Sequence, residues 1–253
     1  MSLASIIKLF AARDRSKYIK IYGLPRSGTN YIAKLLEVNF RARVLLHVGH
    51  GKHNDPKFIT EEDIRNVRNF DREGLKGPEE IYAILKYMEK NNIYYVMIVK
   101  HPIQWIKSYR NYIRKYPNPN LPHVFRIDES PDDLKAAINW WNETTKEYIR
   151  MRQSNPEIVH IIQYESLVSD FADVLSALKH HFNLQLLHNE LTNYHNIMLP
   201  GFHASSQAFN PNSLALDSDS DSDKLTDQQL AIIYQEMDPE IIRVLNLQIN
   251  FHG

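Results

Sequence analysis

The sequence predicts an α/β fold, with a central parallel β-sheet flanked by helices. Three observations lead there. Four short β-rich runs recur, at 18–22, 43–48, 94–99 and 158–162. A helical pattern follows each of them, and strands that alternate with helices pair in parallel. The runs are mostly continuous in apolar residues instead of alternating, which is how strands covered on both faces read.

The helices can be justified in chain order. The first follows Gly28 and carries Tyr31, Ile32, Leu35 and Leu36 on one face. A second is predicted over 79–90. A third starts at Ser130-Pro131-Asp132-Asp133, an N-cap, a proline at the first helical position and acids in the first turn. Its Leu134, Ile138, Trp141 and Tyr148 keep helical spacing, which predicts core packing for the tryptophans. A fourth covers about 171–181. Thr226-Asp227-Gln228-Gln229 reads as a capping box, and Asp238-Pro239 starts a last helix. The whole of 1–253 reads as one domain, with a core over about 18–185 and a C-terminal helical part over about 186–253.

Composition narrows the function classes. Thirty Lys+Arg balance thirty Asp+Glu, so no bulk attraction to nucleic acid or an anionic membrane is expected. Hydrophobic residues at 43% and charged ones at 24% suit a globular core. Cysteine is absent, which excludes disulfides, thiolate metal sites and cysteine nucleophiles and suits a reducing compartment. No run approaches the ~20 apolar residues of a membrane span. The opening stretch 3–12 is apolar except for Lys8 and predicts a short packed helix, not a membrane-surface anchor. The expectation is a soluble, cytoplasmic protein. The Asp-Ser alternation over 217–223 and the Pro-rich stretch 116–122 read as loops.

The first strand leads into Gly23-Leu24-Pro25-Arg26-Ser27-Gly28-Thr29-Asn30 and then a helix. In that context backbone N–H groups and a helix N-terminus cradle an oxyanion. Gly28 allows close approach, and Ser27 and Thr29 offer hydroxyls. The spacing is that of a nucleoside-triphosphate loop with one departure: Thr29 stands where the lysine would be, and the cation is Arg26. The third strand ends Val99-Lys100-His101-Pro102, a cation where a magnesium-binding acid would be expected. Two cations without that acid favour a phosphate-rich donor handled without metal.

These residues resemble the sulfotransferase superfamily, which uses 3'-phosphoadenosine-5'-phosphosulfate. Gly23 to Thr29 is similar to the family's 5'-phosphosulfate loop, P-[KR]-S-G-T. The segment from Lys100 to Ser108 is similar to its 3'-phosphate segment, and Tyr164-Glu165-Ser166-Leu167 to its Y-E-x-L run. The resemblance spans about 18–185 and implies a P-loop-like sulfotransferase fold. It implies that Pro25, Arg26, Ser27, Gly28, Thr29 and Asn30 hold the phosphosulfate, with Lys100 and Ser108 on the 3'-phosphate. By the same resemblance Tyr31 stacks on adenine, Arg26 stabilises the leaving phosphate, and no metal is required. Two departures stand out. Lys100 replaces an arginine, and a lysine is a point charge without the planar two-pronged grip. No R-K-G loop is found between 187 and 225.

An acceptor must lose a proton, and a histidine suits that role. The second strand runs into Leu46-His47-Val48-Gly49-His50-Gly51-Lys52-His53. Ligands in open α/β sheets sit at the carboxyl ends of strands, so this run is expected beside the phosphate loop. The family often places its base here beside a lysine; Lys52-His53 matches best and His50 next. Zinc held by His47, His50 and His53, or a plain solvated loop, are the other readings. The basic run 110–115 suits either a donor-pocket rim or a solvated helix face. The expectation is a sulfotransferase acting on a hydroxyl of a carbohydrate or small metabolite. The alternatives are a P-loop kinase or NTPase, and a non-catalytic nucleotide-binding module of the same fold.

Overall fold

Strands β1 (Lys17–Gly23), β2 (Ala42–Leu45), β3 (Tyr94–Val99) and β4 (Val159–Gln163) form one parallel sheet in the order β2-β1-β3-β4. The register pairs Ile19 with Val44, Ile21 with Val96, and Met97 with Ile161. The computed structural model describes residues 17–49, 51–53, 55–68, 75, 77–115, 130–193 and 224–247. The expected helix over 3–12 and the loops at 116–122 and 217–223 lie outside them.

Helices cover both faces, as the continuous apolar strands require. On one face α1 (Thr29–Asn39), α6 (Tyr164–Ser169) and α7 (Phe171–Phe182) bury Ile32, Leu35, Leu36, Leu167, Leu175 and Phe182 against Ile19 and Ile21. The opposite core holds Tyr18, Tyr22 and Met97. It is completed by α3 (Pro78–Met88), α4 (Pro102–Lys115), α5 (Pro131–Ser154), α8 (Asp227–Glu236) and α9 (Pro239–Leu245). The short α2 (Glu61–Arg65) opens on a capping box at Thr60 and Asp63. The Ser130 side chain caps α5 by accepting from the Asp133 N–H, as its sequence predicted. Among the described residues no helix is long and apolar enough to cross a membrane.

The largest departure from the expected strand boundaries follows β2. The run 43–48 ends as a strand at Leu45. Beyond it the carbonyls of Leu46 and Val48 accept hydrogen bonds from the Lys20 ammonium, at 3.2 and 2.9 Å. A side chain from β1 takes the place of a ladder partner, so the apolar run outlasts the strand.

Candidate functional site

With β1 flanked by β2 on one side and β3 on the other, the chain reverses its winding between β1 and β3. The carboxyl ends of these two strands bound the crevice where ligands sit in open α/β sheets. Gly23 pairs with Ile98, so the turn after β1 and Lys100 after β3 are neighbours across one strand spacing, about 4.8 Å.

The turn is shaped by its backbone. Arg26 adopts φ 68° and Gly28 φ 93°, both left-handed. Such a conformation is strained for arginine and free for glycine, and strain of this kind clusters at functional sites. A Cβ at Gly28 would also come within 2.5–2.6 Å of the Tyr164 ring, so no other residue fits. Helix α1 begins directly afterwards with no side-chain cap at Gly28. Its first N–H groups and the positive end of its dipole face the turn. The Ser27 hydroxyl is buried with no hydrogen-bond partner among the described residues. A buried, unbonded hydroxyl beside an uncapped helix start fits an oxyanion cradle.

Two tryptophans brace this floor. Trp105 Nε1 donates to the Pro25 carbonyl at 2.8 Å, and Trp141 Nε1 donates to the Lys100 carbonyl at 3.0 Å. Both are essentially fully buried. The expectation of core packing for Trp141 holds, with the addition that its indole fixes the Lys100 backbone. Trp140 packs edge-on to Trp105.

Lys100 is 7% exposed, donates to Ser108 Oγ at 3.2 Å and lies 4.4 Å from the centroid of the Tyr164 ring. Burial pulls its pKa down to about 8, outweighing the pull of Glu165 in the other direction, while Arg26 adds to the lowering. Burial raises the Glu165 carboxyl, which accepts the His101 N–H at 2.9 Å. The Tyr164 ring therefore touches both the Gly28 position and the Lys100 ammonium. Tyr164 and Glu165, the start of the run similar to Y-E-x-L, open α6 and form the wall between the two strand tips.

The described residues of 46–49 and 51–53 close the third side. The Gly23 N–H donates to the Lys52 carbonyl at 3.0 Å, and His53 Nδ1–H donates to the Gly23 carbonyl at 2.6 Å. That bond fixes the tautomer and leaves the lone pair on Nε2. Burial lowers the His53 pKa to about 4, with Lys52, His47 and Arg26 adding to the effect. Lys52 is 3% exposed, donates to Asn30 Oδ1 and is lowered by burial to about 8. His50 lies outside the described residues. Among those described, no group of three or more His, Cys, Asp or Glu could hold a metal ion.

The structure thus links Lys52 to Asn30, His53 to Gly23 and Lys100 to Ser108, with Arg26 acting electrostatically on both His53 and Lys100, and with Pro25, Ser27, Gly28 and Thr29 in the turn between them. The guanidinium of Arg26 lies over the Tyr112 ring of α4 at 5.2 Å. Tyr31 is a correction. It is 3% exposed, packs with the α1 core and donates its hydroxyl to Asn193 Oδ1 at 2.7 Å, so it presents no face to a purine. Its position one turn into an amphipathic helix points it at the sheet. In the basic run, Arg110 is 8% exposed and not part of a solvated face. With Arg114, Lys224 and Thr226 it lines a cavity of about 450 Å³.

No protein-family model matches the chain, and no curated protein sequence matches it. Solved structures do. The sulfotransferase domain from the curacin biosynthetic pathway is 18% identical, over 92% of this chain and 99% of that one, with a TM-score of 0.47. The sulfotransferase domain from the Synechococcus PCC 7002 olefin synthase is 14% identical, over 92% and 95%, at 0.48. Mouse sulfotransferase SULT7A1 complexed with PAP is 14% identical, over 91% and 81%, at 0.38. These three structures are sulfotransferases, each under 20% identical to this chain.

Proposed function

We propose that the protein is a sulfotransferase, moving a sulfuryl group from 3'-phosphoadenosine-5'-phosphosulfate to a hydroxyl of a carbohydrate or small metabolite. The observation that carries this reading is the pair of buried lysines, Lys52 and Lys100, set on either side of an uncapped helix start. Burial depresses both ammonium groups to about pKa 8. Anionic groups of a ligand would reverse that, because an opposite charge nearby favours the charged form.

The residues divide the work by position. The Ser27 hydroxyl and the N–H groups of Gly28, Thr29 and Asn30 hold the phosphosulfate end. Lys100, steadied by Ser108 and the Tyr164 ring, holds the 3'-phosphate. The donor supplies an activated sulfuryl group on a phosphate. As the acceptor oxygen bonds to sulfur, the bond from sulfur to the bridging oxygen breaks. Arg26 and Lys52 neutralise the charge left on that oxygen, in the manner of preorganised electrostatic stabilisation. His53 Nε2 takes the acceptor proton, its ring held by the bond from Nδ1–H to Gly23. By itself His53 is a weak base at about pKa 4. Burial is the main cause of that lowering; the negative charge of the bound donor offsets the smaller share due to Lys52, His47 and Arg26 and shifts His53 upward.

Calorimetry tests the reading. Adenosine 3',5'-bisphosphate is expected to bind without metal and at least tenfold more tightly than ATP with magnesium. The reverse order supports a kinase or NTPase instead. Bisphosphate binding with no sulfation of any compound in a mixed hydroxyl library supports a binding module without transfer.

A further inference from the structure

Residues 46–49 and 51–53, which include Lys52 and His53, belong to no regular element. Their placement must come from ties to something rigid, and β1 supplies two. At the far end, Gly23 exchanges two hydrogen bonds with Lys52 and His53. At the near end stands Lys20, which is 0% exposed in the middle of β1. Its ammonium reaches the carbonyls of Leu46 and Val48 and lies 5.1 Å from the centroid of the Tyr22 ring.

A buried ammonium in a sheet core is costly, and a well-packed apolar side chain of similar volume is often the more stable choice. The geometry gives a reason for keeping the charge here. Strand β2 stops at Leu45, so the Leu46 and Val48 carbonyls have no ladder position to fill. An ammonium has three donors and no acceptor, and it can hold two carbonyls at once. The segment that carries Lys52 and His53 is then tied at both ends to β1, the strand whose tip becomes the phosphate loop. Donor cradle and proton acceptor share one support.

We infer that Lys20 is a positioning residue for His53 and Lys52. It acts through the 46–53 segment and touches no reacting group. The inference rests on the sulfotransferase reading for its catalytic consequence but not for its structural one. The test uses the full chain with Lys20→Met and Lys20→Gln, whose amide can still donate to one carbonyl. Turnover is expected to fall about 10–100-fold in K20M, a part of the ~10²–10⁴ that a positioned base contributes. K20Q is expected to fall between K20M and the wild type. Bisphosphate affinity, in which Lys52 takes part and His53 does not, should fall less than turnover in both variants, since loss of the positioned base shows in turnover alone. Amide hydrogen exchange at Gly23, whose N–H is bonded to Lys52, should quicken at least tenfold in K20M. If K20M does not fold, K20Q carries the same comparisons.

Turnover within twofold of wild type in both variants overturns the role, and so does a parallel loss of turnover and bisphosphate affinity. The exchange measurement needs no substrate and keeps the two ideas apart. Unchanged Gly23 exchange overturns the tie whatever the reaction is. Faster exchange in a protein whose wild type transfers no sulfuryl group supports the tie and overturns the sulfotransferase reading alone.

Discussion

Lysines at the strand tips and at the seam between α5 and α9 meet opposite surroundings. At the seam, Lys146 lies 3.0 Å from Asp238 and 3.1 Å from Glu143, and hydrogen bonds to those carboxylates raise its pKa. At the tips, Lys52 and Lys100 are buried and lowered to about 8. A protein stabilised only by its own charges would favour the first arrangement throughout. The tips instead hold ammonium groups in a state that a bound anion would relieve.

Perturbing the tips should cost function, and perturbing the seam should not. The largest effect is expected from His53→Ala, with turnover down about 10²–10⁴-fold and bisphosphate affinity nearly unchanged. Retained turnover in steady-state assays would move the base elsewhere, and His50 would be tested next. Next in size, Lys100→Met should weaken bisphosphate binding about 10–100-fold, the share of a hydrogen bond to a charged group. Lys146→Met should leave binding unchanged and alter stability little, as exposed pairs do. Equal losses in the two variants by calorimetry would erase the distinction between tip and seam.

The pH dependence of binding sharpens the same contrast. Both tip lysines have free-state pKa values near 8, which a bound anion raises, so binding takes up protons. Bisphosphate affinity should be full below about pH 8 and fall above it, by up to about tenfold per pH unit for each lysine. Calorimetry in buffers of different ionisation enthalpy should report this uptake, and Lys100→Met should reduce it. The smallest effect lies away from the strand tips, where β4 meets α7. The His160 and His181 rings lie tilted to each other with centroids 4.7 Å apart, and burial lowers both, His160 to about 4. A depressed histidine is neutral when folded and protonates more readily when unfolded. Its contribution is therefore present above about pH 6.5 and lost as pH falls toward 4. The denaturant midpoint should drop across that window, and the drop should shrink in His160→Leu.

Much of the site could be read from the chain because its signals are local. Gly28 followed by a helix start, and Lys100 eight residues before Ser108 on α4, are short-range relations between residue type and backbone. The partners that complete the site are not local. Trp105 reaches Pro25 across 80 residues, and Trp141 reaches Lys100 across 41. Tyr31 shows the reverse error, because a position matched by motif spacing was already claimed by the apolar face of its helix. Lys20 left no signal at all, since a charged residue in an apolar run looks like a strand flaw until its carbonyl partners are seen.

Periodicity, caps and glycine placement determined the parallel α/β architecture and the left-handed glycine turn between β1 and α1, because each expresses a backbone preference within a few residues. Which cations share a crevice, and how strongly burial discharges them, was decided only by the tertiary structure. Desolvation depends on every element packed around a group, and β1, β3, α1, α4, α5 and α6 meet at the strand tips only after the sheet has formed.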